Sequence, residues 1–384
     1  MNSTDVSRNL KKLNVAYFGG SVTDGHGSTV RENSWRRLTT KWLENTYGVN
    51  VNEVNGAIGG TGTKYGVYRV IEHLKLTSVI PDLVFIEFSV NDYYDGLTEN
   101  EAAFNMEYII NTVYEYAPKA DIVMVFTGEY ATMSAADPDS FVTRKAHKAV
   151  ADAYGIPTVD VATPLWNLMC EENGGVKPTQ STDVWKRYVT DQVHPSDAGY
   201  AEYAKTVQAF LKQTFDAKRY VFGNVADAYR RTDTLHDLTA LVKPHVATFA
   251  GCTFADPDVQ VTATVGSPTN PTGCLLTNKA GASFSFDFTG TDLKLWIYGH
   301  SGDADDSDRL SVEIDGVTVK GDFGLVMRNA NHKILDVTSE LMLENTKHTV
   351  TVKLNANSAG IANLDLRYVM ISGDAERRGI SNVK

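Results

Sequence analysis

The sequence predicts an α/β protein in two parts: a parallel sheet covered by helices on both faces, followed by a β-sandwich or jelly roll. Three observations carry this expectation. Strand-like and helix-like segments alternate from residue 13 to residue 215, the pattern of strands joined by crossover helices. From residue 247 to 373 the pattern changes to short alternating runs separated by turn signals, as in antiparallel sandwiches. At 384 residues the chain also exceeds the usual size of one domain. The boundaries expected are 1–220 for the α/β part, 221–245 for a polar, charged connection and 246–384 for the β part.

Each element has its own signal. Residues 13–18 form a short apolar strand. Residues 34–47 have helical spacing, with Trp35, Leu38, Trp42 and Leu43 along one side. Strands are expected at 49–54, 83–88, 121–126 and 157–161, and helices at 65–76, 102–116 and 143–154. Ser196-Asp197 caps a long final helix that runs to Phe215. In the β part the runs are 283–288, 293–298, 310–314, 348–354 and 364–371, punctuated by Asp315-Gly316 and Gly290-Thr291-Asp292.

Composition narrows the function classes. A formal net charge of −11 argues against nucleic acid and anionic membranes as partners. Cys170, Cys252 and Cys274 have neither the number of a disulfide framework nor the spacing of a metal site, so reduced thiols are expected. The N-terminus is polar, with no basic-then-apolar leader, and no run is long enough to span a bilayer. A soluble, cytoplasmic protein is expected, provided no leader has been removed ahead of Met1. No metal and no cofactor are expected, and nothing in the sequence sets an oligomeric state.

The chemistry begins at the end of the first strand, where an apolar run meets Gly19-Gly20-Ser21. In a parallel sheet the active groups gather at the carboxyl ends of the strands. Ser21 and Asn91 each follow a strand directly and so share that edge. A serine hydroxyl needs a base to take its proton, and the base needs a third group to hold its tautomer. His194 is the candidate base and Asp191 the orienting group, presented by one loop that Pro195 stiffens ahead of the final helix. The oxyanion of a tetrahedral intermediate needs donors. The Ser21 backbone N–H and the Asn91 amide qualify, and the glycine-rich segment at residues 55–62 allows a third. That segment lacks the Lys-Ser/Thr of a P-loop and the Gly-x-Gly-x-x-Gly of a dinucleotide site.

Over residues 12–215 these segments resemble the SGNH (GDSL-like) hydrolases. Gly20-Ser21 is similar to the first family block, with Ser21 as nucleophile. Gly60 matches the oxyanion glycine of the second block, and Asn91 in Ser89-Val90-Asn91-Asp92 the asparagine of the third. Asp191 and His194 match the fifth. The resemblance implies a three-layer α/β/α fold and hydrolysis of carboxylic esters without a metal. Two departures stand out: Gly20 replaces the usual aspartate and Ser89 the usual glycine. Both variants resemble carbohydrate-active branches. The added β-sandwich, similar to a family-35 carbohydrate-binding module, resembles bacterial carbohydrate acetylesterases such as carbohydrate esterase family seventeen, which act on mannan. The expected function is therefore a serine esterase that removes O-acetyl groups from oligosaccharides through an acetyl-serine intermediate. The alternatives are a short-chain lipid esterase or thioesterase, and a non-catalytic glycan-binding protein.

Further candidates cluster beside the site. Tyr93 and Tyr94 follow Asn91, and Trp185 and Tyr188 precede Asp191. Tyr93 and Trp185 are candidate sugar contacts, Trp185 by stacking, and His26 lies five residues after the nucleophile. Glu87 interrupts an apolar strand and needs a partner, for which Arg36 or Arg37 is the expected one. In the β part Asp303, Asp305, Asp306 and Asp308 crowd one loop whose spacing is not that of an EF-hand. It is expected to be a solvated turn, with Asp306 a candidate for reaching the substrate. Trp296 and Tyr298 share one face of their strand and are expected in the core.

Overall fold

The computed structural model describes residues 12–216, 234–241, 243–263, 268, 271–298, 308–325, 332–373 and 380–382. The chain divides into two compact units, 1–238 and 239–384.

The first unit is a three-layer α/β/α domain. Its sheet contains β1 (Lys12–Gly19), β2 (Asn50–Asn55), β3 (Leu83–Glu87), β4 (Asp121–Phe126) and β5 (Thr158–Asp160), in the order β2-β1-β3-β4-β5. All neighbours pair in parallel. The helices, in chain order, are α1 (Ser21–Asp24), α2 (Trp35–Tyr47), α3 (Thr63–His73), α4 (Ser89–Tyr94), α5 (Glu99–Tyr116), α6 (Tyr130–Ser134), α7 (Val142–Tyr154), α8 (Ala162–Glu172), α9 (Asp183–Tyr188) and α10 (Asp197–Asp216).

Both sheet faces are buried, so the strands read as apolar runs rather than alternations. Val15, Tyr17, Phe85, Val123 and Val125 face a core closed by Trp35 and Leu43 of α2, Leu165 and Trp166 of α8, and Tyr200, Tyr203 and Val207 of α10. The intervening Ala16, Phe18, Val84 and Ile86 are buried too; on that side α3 packs on α5 and α5 on α7. Strand order reverses at β1, whose neighbours are β2 and β3. The crevice at the carboxyl ends of β1 and β3 is the topological switch point, the usual place for a ligand in such sheets. Ser21 follows β1 and Asn91 lies just beyond β3, both at that crevice.

Helix ends agree with local chemistry. The Ser34 side chain accepts from the Arg37 N–H at the start of α2. Thr98 and Glu101 form a capping box at α5. Helices α4, α6 and α8 were not anticipated, because their apolar residues lie within short segments that show no clear period.

The second unit is a pair of antiparallel sheets. Its strands are β6 (Pro244–Ala247), β7 (Gln260–Val261), β8 (Leu275–Thr277), β9 (Ser283–Gly290), β10 (Asp292–Tyr298), β11 (Asp308–Ile314), β12 (Val317–Leu325), β13 (His332–Asp336), β14 (Thr346–Asn355), β15 (Leu364–Ser372) and β16 (Ser381–Asn382). One sheet has the order β13-β10-β15-β8-β7, with β6 also on β15; the other is β12-β11-β14-β9-β16. Alternate residues of both sheets meet between them: Phe284, Phe286 and Phe288 of β9, Leu293, Leu295 and Ile297 of β10, and Val350, Val352 and Leu354 of β14. On β15 the inward set shifts from Leu364 and Leu366 to Val369 and Ile371, because Arg367 is an extra residue where the β10–β15 register breaks.

Trp296 is buried as expected and Tyr298 partly so, but neither belongs to the core between the two sheets. The inward positions of β10 are the odd ones, so these two lie on the opposite face. There Trp296 packs on Tyr368 with ring centroids 5.4 Å apart, and the Arg367 guanidinium lies 3.5 Å above the Tyr298 ring. Asp303, Asp305 and Asp306 lie outside the described residues. Among the described residues no cysteine forms a disulfide, and no helix is long and apolar enough to cross a membrane.

Candidate active site

Strand β1 runs into Gly20, whose backbone is extended (φ −92°, ψ −152°), and Ser21 opens the one-turn helix α1. The turn is closed by the Asp24 N–H donating to the Gly20 carbonyl (3.0 Å) and by the Gly25 and His26 N–H groups donating to the Ser21 carbonyl (2.9 Å each). Ser21 is thereby held at the crevice with little freedom.

His194 Nε2 lies 2.8 Å from Ser21 Oγ, and His194 Nδ1 lies 2.7 Å from Asp191 Oδ2. The carboxylate holds the ring proton on Nδ1 and leaves the Nε2 lone pair for the serine proton. The other Asp191 oxygen accepts the backbone N–H groups of Val193 (2.7 Å) and His194 (2.8 Å). Burial pushes the Asp191 carboxyl up, but the His194 ring and these N–H groups outweigh it and bring it down to about 2. Asp191 is therefore ionised throughout the neutral range.

The loop that carries these residues is anchored on both sides. The Thr190 N–H donates to the His194 carbonyl (2.8 Å), and the Tyr130 N–H donates to the Gln192 carbonyl (2.9 Å). Trp185 corrects the sequence expectation here. It is 1% exposed and cannot stack on a sugar. Its ring packs against Tyr130 and Trp166, and its Nε1–H donates to the Asp191 carbonyl at 2.8 Å. The indole supports the acid–base loop from below, because the core beneath that loop needs a large apolar group and the buried N–H needs an acceptor.

The other side of Ser21 is built from the glycine-rich segment and α4. The Ile58 N–H donates to the Gly19 carbonyl (3.0 Å). A Cβ on Gly59 would stand 3.4 Å from Ser21 Cβ and 3.0 Å from His26 Cε1, so this segment abuts Ser21. Gly60 follows with a left-handed φ of +71°. The Asn91 side chain lies directly on the Gly20 α-carbon: a Cβ at Gly20 would come 1.9 Å from Asn91 Oδ1 and 3.4 Å from Nδ2. The carbonyl oxygen thus rests on Gly20 and the amide nitrogen is turned away from it. This accounts for the missing aspartate, since any side chain at position 20 would displace the Asn91 amide.

Asp92, fully buried, fixes the helix that carries Asn91. It accepts the Thr63 N–H (2.6 Å) and hydroxyl (2.7 Å), and its Oδ2 lies 2.9 Å from His147 Nε2. Spacing alone gave no hint of this network.

His26 stands beside the triad, its ring centroid 5.8 Å from that of His194; burial, then the Arg31 charge, push it below the ordinary histidine value. Tyr93 is half-exposed and its ring packs against Tyr94 and Phe141. Tyr94, also half-exposed, was not singled out as a contact residue. Burial, then the charges of Glu129, Tyr93 and Asp191, push its phenol up to about 12.

Glu87 is the second correction. Its oxygens accept the Thr23 and Thr127 hydroxyls, each at 2.8 Å, and neither Arg36 nor Arg37 is its partner. Those arginines pair with Glu53, because α2 lies over β2 and meets its carboxylate first. Burial pushes the Glu87 carboxyl from 4.5 up to about 7, against the Thr127 and Thr23 hydroxyls and the Gly20 N–H. Between those values the folded chain holds a proton that the unfolded chain has lost. This contribution to stability is complete below 4.5 and is lost as pH rises through 7. Unfolding of the wild type at pH 5 and pH 8 should reveal a loss of about 3 kcal/mol from this group at the upper end. Glu87→Gln should remove that component, and an unaltered pH dependence in the variant would contradict the assignment.

Sheet and site together define a hydrolase of the SGNH type, with its serine at the switch point of a parallel α/β/α domain. Residues 17–202 match the GDSL-like Lipase/Acylhydrolase family, and the chain carries a hydrolase domain of that family. No curated protein matches the chain. Two crystal structures of a two-domain esterase (CEX) active on acetylated mannans are similar over both units. The one co-crystallised with mannopentaose has a TM-score of 0.69 at 21% identity and covers 95% of this chain and 91% of that chain. The other has a TM-score of 0.70 at 21% identity and covers 95% and 92%. At that identity the likeness is one of fold.

Proposed function

We propose that this chain is a serine esterase that removes O-acetyl groups from carbohydrate, with mannan-type oligosaccharides as the preferred substrate. The observation that carries the reading is the Ser21–His194–Asp191 relay at 2.8 and 2.7 Å. Ser21 Oγ attacks the acetyl carbonyl as His194 Nε2 takes its proton. The oxyanion is met by the N–H groups of Ser21 and Gly60 and the Asn91 amide. His194 then gives that proton to the departing sugar oxygen, which leaves as a hydroxyl, and the acetyl-serine is hydrolysed to acetate by water activated by the same imidazole.

The sugar specificity rests on the shared two-unit fold with an esterase active on acetylated mannans, on the half-exposed Tyr93 two residues beyond Asn91 and on His26 beside His194. In this reading the β part, residues 246–384 beyond a connection at 221–245, is a module resembling family-35 carbohydrate-binding modules, and Asp306 belongs to its contribution to substrate contact. The test is acetate release from acetylated mannan, xylan and pectin oligosaccharides, with p-nitrophenyl acetate and butyrate in parallel. Mannan fragments should be deacetylated fastest. A preference for butyrate over every sugar ester would favour a short-chain lipid esterase, and sugar binding without acetate release would favour a glycan-binding protein.

A further inference from the structure

Arg69, on α3, is fully buried, and the esterase mechanism above gives it no task. Its guanidinium sits behind the glycine-rich segment and gathers that segment to the end of β1. Nη2 donates to the Gly19 carbonyl (3.1 Å) and the Thr61 hydroxyl (2.8 Å), and Nη1 donates to the Gly56 carbonyl. Thr61 passes the connection on, its hydroxyl donating to the Ile58 carbonyl (2.8 Å). The Gly19 carbonyl that receives Arg69 also receives the Ile58 N–H (3.0 Å). The cation lies over the rings of Phe18 (4.4 Å) and Phe88 (5.5 Å), the residues that lead into the Ser21 and Asn91 turns. His73, with Nδ1 3.4 Å from Nη1, is held well below the ordinary histidine value by burial and by the arginine charge, so it faces Arg69 as a neutral acceptor.

We propose that Arg69 is a positioning residue for the oxyanion hole: its planar fork fixes the segment between Gly56 and Thr61, and with it the Gly60 N–H, against the strand end that presents Ser21. The argument is geometric. A glycine-rich segment has wide backbone freedom, and a donor displaced by an ångström loses most of its stabilisation of a developing charge. Three acceptors from both sides of the hole converge on one rigid group, a task for which arginine is suited and lysine, a single point charge, is not.

The proposal rests on Ser21 being the nucleophile, and the test separates the two. Arg69→Met and Arg69→Lys are compared with the wild type using p-nitrophenyl acetate, with folding checked by circular dichroism. Thr61→Val, which removes one acceptor without changing shape, covers the case in which Arg69→Met does not fold. Arg69→Met should lower kcat about 10²-fold and Thr61→Val about 10-fold, with KM within about twofold. Arg69→Lys should recover part of the loss. Inhibition by methylboronic acid, which forms a tetrahedral adduct on the serine, should weaken in step with kcat. A loss of active protein alone would leave that inhibition constant unchanged. Wild-type kcat in a folded Arg69→Met, or weakening confined to KM, overturns the positioning role. Full activity in Ser21→Ala overturns Ser21 as the nucleophile, whatever the Arg69 variants do.

Discussion

Ser21→Ala and His194→Ala are each expected to lower acetate release by about 10⁴-fold or more, and the double variant scarcely further, because serine and imidazole act as one unit. The basis is the relay geometry: one imidazole bridges the serine at 2.8 Å and the carboxylate at 2.7 Å. The Asp191 carboxylate spends one oxygen on the ring and the other on two backbone N–H groups. Asp191→Asn therefore keeps the loop turn but can stabilise the wrong tautomer, and its loss should be of similar order. Initial rates on acetylated mannan oligosaccharides, with unfolding curves to show that the variants fold, decide the matter. Activity within tenfold of wild type in either alanine variant would remove the triad assignment.

Gly20→Asp, which restores the residue usual in the family, is expected to damage this enzyme. A Cβ at position 20 meets Asn91 Oδ1 at 1.9 Å, well inside van der Waals contact. The Asn91 amide must rotate or its helix must shift, and either movement withdraws the donor from the oxyanion. The expected cost is about 10²–10³ in kcat with little change in KM, the scale for loss of one oxyanion donor. Gly20→Ala should do the same without adding charge. Asn91→Ala should cost about as much, and Gly20→Ala combined with Asn91→Ala should fall well short of the product of the two losses, since both remove the same interaction. A Gly20→Asp variant with wild-type kcat would show that Asn91 does not act through this packing.

The two architectures were legible from period and punctuation. Strands buried on both faces read as apolar runs, and the alternation with helices implied a parallel sheet. In the second unit the period-two runs at Phe284, Phe286 and Phe288 marked an inward face. Ser21, Asn91, Asp191 and His194 stood out because each is a reactive or polar residue directly after a strand or directly before a helix, and the structure brings all four to one crevice. Trp185 was misread because sequence distance from Asp191 says that an aromatic is near the site but not which way its ring turns. Glu87 was paired with the wrong groups because partner choice depended on where α2 crosses the sheet. Trp296 is buried as expected, but on the face of β10 away from the other sheet, because inward parity is set by the whole sandwich.

Local pattern thus settled the strands of the first unit, its long helices, the layering and the residue types of the chemistry, since backbone hydrogen bonding and apolar burial act over a few residues at a time. Tertiary structure decided the rest. It placed Asn91 against Gly20, seated Arg69 behind the glycine-rich segment, turned Trp185 beneath the acid–base loop and joined Asp92 to Thr63 and His147. Each of these is a contact between segments far apart in the chain, set by how helices cross the sheet, and a linear pattern carries no record of that crossing.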